Sequence, residues 1–381
     1  MLRKLFRFIK IYGLRRAIVK AAGRLRNVKW LVLIINPLYF IVKPPIMVGI
    51  IGAGQFAFST ISFFLVSNRL GRIQQVFDIN SDNARTLSTA YNAKQCETAG
   101  EVIQGVDVVY IASNHNSHTS YALSALQQDK KVYCEKPIAV TFNQLYDLYN
   151  AVNKKPDLFF CGYNRPHSSI MRHCKNTYAS IFRVQPITMS CYVRGHDIPS
   201  DHWYRNPDEG TRICGNAGHW VDLFISTIWG RFNTLDYFCL SIISSNPSNL
   251  DDNMLISITT HAGDIFNLTI SSRSEPFEGI DETINIQAGS LNIKIDDFRR
   301  AKINNKHFVA QLKGWVKDVG HEKSIEQPFS KEDPRNYMEY FVSTYLTVSL
   351  AGMILNKQIT KKITIMEIMD FFNETSTSRS S

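Results

Sequence analysis

The chain has 381 residues, of which 44% are hydrophobic and 20% charged, values that exclude a chain disordered throughout and supply enough apolar surface for two packed domains. Its formal net charge is +10, but eleven of the 43 Lys and Arg residues lie in positions 1–45, which hold no acid. The remaining chain carries 32 basic against 33 acidic residues, so its body is near neutral and no nucleic-acid partner is expected.

Residues 1–45 read as a basic amphipathic N-terminal extension. On a helix, Leu2, Leu5, Phe6 and Ile9 fall on one side, and Arg3, Arg7 and Lys10 on another. Residues 30–42 follow, apolar except for Asn36 and interrupted by Pro37; they are too short to span a bilayer, and no small-residue cleavage site follows. Two readings stay open. One is reversible contact of residues 1–42 with an anionic membrane surface, where each basic residue contributes about 1 kcal/mol. The other is an arm packed on the protein or on a partner.

A strand is predicted over 46–51, ending in Gly52-Ala53-Gly54-Gln55-Phe56-Ala57 and passing at once into a helix over 55–67. Gly52, Gly54 and Ala57 fit G-x-G-x-x-G/A. The first glycine makes the turn, the second lets a pyrophosphate approach the backbone, and the third small residue allows close helix packing. Phosphates then meet N–H groups at the positive end of the helix dipole. Asp78 closes the next strand, 72–78, where an acidic residue meets the ribose hydroxyls. No Arg or Lys occurs from 76 to 84 to hold a 2′-phosphate, which favours NAD over NADP.

Further strands over 94–96, 107–112, 131–134 and 158–161 alternate with helices over 81–92, 116–128 and 141–153. That alternation implies parallel βαβ units in a doubly wound N-terminal Rossmann domain, residues 46–165. Ligands bind beyond the carboxyl ends of such strands, which places Ser113, Asn114 and His118, and then Glu135, Lys136 and Pro137, on the cofactor side.

The second half reads differently. A helix over 213–229 precedes runs at 234–243, 254–260, 265–272, 283–287, 291–296 and 306–312, joined by short Gly or Asn turns and read as an antiparallel meander. Helices over 336–355 and 363–372 cover or flank it, and 373–381 frays. The expected fold class is α/β: the Rossmann domain plus a C-terminal α+β substrate and oligomerisation domain, residues 166–372, with a largely antiparallel open sheet. Seven cysteines form no C-x-x-C pair, so neither a disulfide framework nor a cysteine zinc site is expected, and a reducing cytoplasm fits. The histidines at 115, 118, 167, 173, 196 and 202 show no metal-ligand spacing, and no metal is expected.

Residues 46–230 resemble the Gfo/Idh/MocA group of NAD(P)-dependent sugar and cyclitol oxidoreductases. The matching residues are the G-x-G-x-F-A turn, Asp78, a strand leading to Ser117-His118, and Cys134-Glu135-Lys136-Pro137, similar to the family's E-K-P signature. Gly162-Tyr163-Asn164-Arg165 resembles its G-[FY]-N-R segment, and His219-Trp220-Val221-Asp222 its H-x-x-D.

The resemblance implies that Lys136 reaches the reacting hydroxyl and nicotinamide while His219 accepts the proton. Glu135 then faces cofactor or lysine, and Pro137 shapes the turn through a cis bond. Asn164 joins the cofactor set of Gly52, Gly54, Gln55, Phe56, Ala57, Asp78, Ser113, Asn114, His118, Glu135 and Lys136. Lys136, Arg165, Trp203, Arg212, Asn216 and His219 form the substrate set, with Asp201 and His202 as polar contacts beside Trp203.

Many members carry an acid four positions before the histidine; here that position is Gly215, and Asn216 beside it cannot take a proton. Thr211 replaces a glycine usual in this run. The stretch at 199–210 is closest to a subgroup whose domain follows a zinc-type alcohol dehydrogenase domain, which 45 preceding residues are too few to supply.

The simpler alternatives are a surface role for Lys136, a core role for His219 and plain packing for Trp203. At the level of function, the alternatives are an NAD-dependent sugar or nucleotide-sugar dehydrogenase, as a homo-oligomer in the cytoplasm or at the inner membrane face, and a catalytically reduced NAD-binding scaffold or regulatory protein at the membrane surface.

Overall fold

The computed structural model describes residues 2–25, 44–246, 249–274, 276–277, 279–331 and 335–373. The apolar run at 30–42 and the tail at 374–381 lie outside the described residues. The chain forms two compact units: Met1–Ala139 with Ala151–Asn164 and Trp315–Tyr337, and Val140–Asn150 with Arg165–Gly314 and Met338–Ser381.

The first unit is built on six parallel strands in the order β3-β2-β1-β4-β5-β6. They are β1 (Met47–Ile51), β2 (Arg72–Phe77), β3 (Lys94–Gln95), β4 (Val108–Ile111), β5 (Lys131–Cys134) and β6 (Phe159–Cys161). Every residue of β4 is buried, as expected for a parallel strand covered on both faces. The sequence reading placed these strands to within about two residues because each is a short apolar run bounded by turns. Strand order reverses between β1 and β4, and that reversal is where doubly wound sheets take their ligands.

The N-terminal extension is helical in two pieces, α1 (Leu2–Tyr12) and α2 (Leu14–Leu25), separated by Gly13 at φ +77°. Of the two readings left open for the arm, packing on the protein holds for α2. Val19 is 1% exposed and joins the core with Phe58, Phe63 and Val66. Arg16 Nη2 donates to Thr60 Oγ1 at 3.0 Å, and Gln55 Nε2 donates to the Lys20 carbonyl at 3.0 Å.

A second addition comes from the far end of the chain. Residues 315–337, expected in the C-terminal domain, belong to the first unit instead. The Tyr110 hydroxyl donates to the Ile325 carbonyl at 2.5 Å, and Gln327 Nε2 donates to the Cys161 carbonyl at 3.1 Å. Such long-range pairing carries no local sequence signal.

The second unit holds a nine-stranded sheet in the order β14-β13-β12-β11-β7-β10-β9-β8-β15. Its strands are β7 (Ile187–Arg194), β8 (Tyr237–Ser244), β9 (Met254–Thr260), β10 (Ile265–Ser271), β11 (Asp281–Ala288), β12 (Leu291–Asp296), β13 (Arg300–Asn305), β14 (Phe308–Lys313) and β15 (Thr360–Thr364). The expected simple meander is corrected by β7, which inserts between β11 and β10 and runs parallel to β10. Ile187, Met189, Cys191 and Val193 alternate inward along it and draw it into the sheet centre. Phe224, on the helix Gly218–Ile228, stacks on Phe266 of β10 at 5.2 Å and seats that helix against the sheet. The helix Tyr337–Leu355 is long and apolar enough to cross a bilayer, but 78% of its apolar window is buried inside the fold, as in a core helix.

Candidate functional site

The glycine turn follows β1 directly. Gly52 sits at φ +89°, and a Cβ there would lie 2.4 Å from the Ser113 nitrogen and 2.5 Å from the Ala112 carbonyl oxygen, so no side chain fits. A Cβ at Gly54 would meet nothing within 4 Å. Internal packing therefore does not require glycine at 54, whereas close approach of a phosphate does. The first helical bond runs from Phe58 N–H to the Gly54 carbonyl at 3.0 Å, so the N–H groups of residues 55–57 precede the first intrahelical donor. The helix passes through a π segment, Ala57–Ile61, before Ser62–Ser67; Ala57 is buried, as the motif expects.

Asp78 stands just beyond β2. Its Oδ2 accepts from the Ala53 N–H at 2.6 Å and its Oδ1 from the Asn80 N–H at 2.7 Å, which fixes the carboxylate across the glycine turn. Two hydrogen bonds leave acceptor capacity for ribose hydroxyls. N–H groups for phosphates, an open approach at Gly54 and an anchored carboxylate together fit NAD. Gln55 differs from expectation: its side chain is turned to α2, which leaves only its backbone for a cofactor role. Phe56 presents its ring edge to His321 at 5.3 Å.

Beyond β4, Ser113 Oγ lies 2.7 Å from Ser117 Oγ, and Asn114 is exposed at the start of the turn His115–Ser117. His118 is buried with Nδ1 2.8 Å from the Pro137 carbonyl and Nε2 3.0 Å from the Ser113 carbonyl. Burial lowers its pKa to about 4 although both carbonyls favour the charged ring, so at neutral pH the imidazole is neutral and donates to one of them at a time. His118 therefore ties the two loops after β4 and β5 together.

Lys136 is half-buried, and its bond to Pro137 is cis, as the resemblance implies. Glu135 is buried and accepts from the Tyr133 hydroxyl at 3.0 Å. A Cβ at Gly162 would fall 2.7 Å from its carboxyl carbon, which explains glycine there. Burial pushes the Glu135 carboxyl up to about 7, with Lys136 pulling the other way. Asn164 Nδ2 donates to the Val319 carbonyl at 2.6 Å, and its Oδ1 is buried without a hydrogen-bond partner among the described residues.

The second unit holds the remaining predicted residues. His219 opens the helix Gly218–Ile228 directly after a π segment, Ile213–Ala217, that contains Gly215 and the buried Asn216. Thr211, where a glycine is usual, sits at φ +61°, a conformation that is strained for a β-branched residue. Trp203 is 38% exposed and stacks on His202 with ring centroids 5.7 Å apart.

The two arginines of the expected substrate set are placed in structural networks. Arg165 is buried, bonds Glu282 through Nε at 2.8 Å and Nη2 at 3.0 Å, and lies over the Trp220 ring at 4.2 Å. Arg212 is fully buried; Nη2 donates to the His196 carbonyl at 2.7 Å and Nη1 to Ser272 Oγ and Asp252 Oδ1. This placement gives both arginines a structural role, apart from the substrate contact expected of them. Glu282, Asp251 and Asp252, which hold these cations and Arg205, were not singled out from the sequence.

Residues 46–163 match the oxidoreductase family GFO_IDH_MocA, described as having an NAD-binding Rossmann fold. Among curated relatives, glucose-6-phosphate 3-dehydrogenase of Bacillus subtilis is 28% identical over 53% of this chain and 58% of its own length. Inositol 2-dehydrogenase of Serratia proteamaculans is 30% identical over 40% of this chain and 46% of its own. The chain thus spans about half the length of these two relatives. Among solved structures, myo-inositol dehydrogenase from Lactobacillus casei, in complex with NAD(H) and myo-inositol, is similar with a TM-score of 0.63 at 16% identity, covering 84% of this chain and 96% of that one. That similarity establishes the fold. Residues 46–163 thus have the glycine turn and anchored Asp78 of an NAD-binding Rossmann domain, and over that stretch they are similar to the Gfo/Idh/MocA oxidoreductase family.

Proposed function

We propose that this chain is an NAD-dependent dehydrogenase acting on a secondary hydroxyl of a sugar, cyclitol or nucleotide sugar. The observation that carries the cofactor half is Asp78, anchored across the glycine turn with no Lys or Arg from 76 to 84. The sugar and cyclitol dehydrogenases among its relatives support the substrate class.

Bound NAD supplies the hydride acceptor. Lys136 steadies the developing alkoxide with its ammonium group, and half-burial keeps that charge effective. His219 accepts the hydroxyl proton, Asn216 supplies a polar contact and Trp203 offers a ring face to the sugar. Arg165 and Arg212 are left out, because each is already held by buried partners. Gly215 removes the customary acid, which leaves His219 as the proton's acceptor beside the Lys136 ammonium. The same substitution favours a second reading, an NAD-binding scaffold of reduced turnover. The assembly proposed is a cytoplasmic homo-oligomer built through the open sheet of the second unit.

The test starts with purified protein, denatured and examined by absorbance and mass spectrometry for released NAD(H), followed by titration with NAD. Screening sugars and nucleotide sugars at the reduced nicotinamide band then gives the substrate. Lys136→Ala is expected to abolish hydride transfer with little change in NAD affinity. A protein that neither releases nor binds NAD overturns the reading; one that binds NAD but transfers no hydride to any candidate is the scaffold.

A further inference from the structure

The α1–α2 arm has an inner and an outer face of different character. Inward, Ala17, Val19 and Gly23 pack on the first unit, and Arg16 is held by Thr60 with Glu322 and Asp318 near it. Between the helices, Arg16 lies 5.2 Å and Lys20 4.2 Å from the Tyr12 ring, and Arg24 lies 5.3 Å from the Phe8 ring. Outward, Arg7, Lys10 and Arg15 are exposed, and so are two large apolar side chains, Phe6 at 64% and Leu14 at 58%. Folding of the described chain therefore orders the arm without covering these apolar residues.

We propose that the outer face of α1 and the start of α2 docks the first unit on an anionic lipid surface. The arm contains no acid to oppose negative headgroups, and its exposed cations suit them. Phe6 and Leu14 enter the headgroup–acyl boundary, as apolar residues of interfacial helices do. A nucleic acid satisfies the cations equally well but gives Phe6 and Leu14 no apolar environment, so lipid is the partner these residues fit. Because α2 is fastened to the helix that follows the glycine turn, this surface belongs to the cofactor unit. The inference stands apart from the dehydrogenase reading and does not require it.

The experiment is co-sedimentation of the full chain with phosphatidylcholine vesicles, with and without phosphatidylglycerol, alongside a DNA duplex. Two variants accompany it: Arg7→Glu with Lys10→Glu and Arg15→Glu, and Phe6→Ser with Leu14→Ser. All five positions are exposed, so melting temperature and NAD binding should match the parent and confirm folding. The expected result is binding only to phosphatidylglycerol vesicles, weakened about tenfold or more by the charge reversals and weakened also by the serine pair. Parent protein that ignores anionic vesicles overturns the proposal. So does vesicle binding that both variants retain, which would assign it to another segment, and so does DNA binding that exceeds vesicle binding and survives the serine pair.

Discussion

Tyr133 donates its hydroxyl to Glu135 Oε1 at 3.0 Å, two residues along the chain, and that tyrosine hydroxyl oxygen lies 3.1 Å from Ser324 Oγ on the returning segment. A carboxylate expected only to face cofactor or lysine is thereby linked, through the Tyr133 hydroxyl, to a segment 191 positions from that tyrosine. Burial raises the Glu135 pKa and the tyrosine hydrogen bond lowers it. Tyr133→Phe removes the lowering contribution and strands part of the Ser324 hydroxyl's bonding. The Glu135 titration should move further up, read from its carboxyl carbon by NMR; an unmoved titration would mean that Tyr133 has no hold on it.

Glu135 and His118 make opposite contributions to stability against pH. Glu135 titrates at about 7 in the fold against an ordinary 4.5, so its contribution is full below about pH 4.5 and is lost as pH rises through 7. His118 titrates at about 4 against an ordinary 6.5, so its contribution is full above about pH 6.5 and is lost as pH falls through 4. Between those limits the two slopes oppose. Glu135→Gln should leave the histidine slope, with melting temperature falling on acidification. His118→Asn should leave the glutamate slope, with melting temperature rising over the same window. Parallel slopes in the two variants would refute the opposition.

The two glycines of the turn predict different failures. Gly52→Ala forces a Cβ to 2.4 Å from the Ser113 nitrogen at a positive φ, and should destabilise the first unit by about 3 kcal/mol or more. Gly54→Ala meets no protein atom and should leave melting within about 1 kcal/mol of the parent. Its NAD dissociation constant should rise about tenfold or more, because the added methyl enters the pyrophosphate approach. Paired thermal melts and NAD titrations separate the two outcomes, and a Gly54→Ala protein of parental affinity would remove the pyrophosphate from this turn.

Arg165, Glu282 and Trp220 form a buried set in which one carboxylate accepts three donors. Glu282→Ala leaves an uncompensated guanidinium and should cost about 3–5 kcal/mol in urea unfolding. Arg165→Met combined with Glu282→Leu removes both charges and should cost less than Glu282→Ala alone. A double variant worse than the single would show that the ion pair itself holds the unit together.

The Rossmann half was legible because its signals are local: short apolar strands, a glycine turn and Asp78 at the next strand end. What escaped the sequence was non-local. Arg165 and Arg212 look like substrate contacts until Glu282 and Asp252 are brought to them from 117 and 40 positions away. Strand β7 alternates clearly, yet its place between β10 and β11 depends on partners chosen across the whole sheet. For α2 the cue was present in Ala17, Ala22 and Gly23, small residues that permit close helix packing, but charge dominated the reading.

That packing sets the last prediction. Val19 is 1% exposed within the core that includes Phe58, so Val19→Ala should cost about 2 kcal/mol through lost methyl burial and an unfilled cavity. Gly23→Val should cost more, since its Cβ would stand 2.7 Å from Phe58 Cδ1 and 2.9 Å from Gln55 Oε1. Phe58 makes the first helical hydrogen bond to Gly54, and Gln55 stands beside that glycine. A wedge between them and α2 should therefore weaken NAD binding as well as lower the melting temperature. Val19→Ala creates a void rather than a wedge and should lower the melting temperature with a smaller change in NAD affinity. An arm merely laid on the surface would tolerate both substitutions, with melting and NAD titration unchanged; a fall in melting for both, with NAD binding falling most for Gly23→Val, is what an α2 built into the cofactor unit requires.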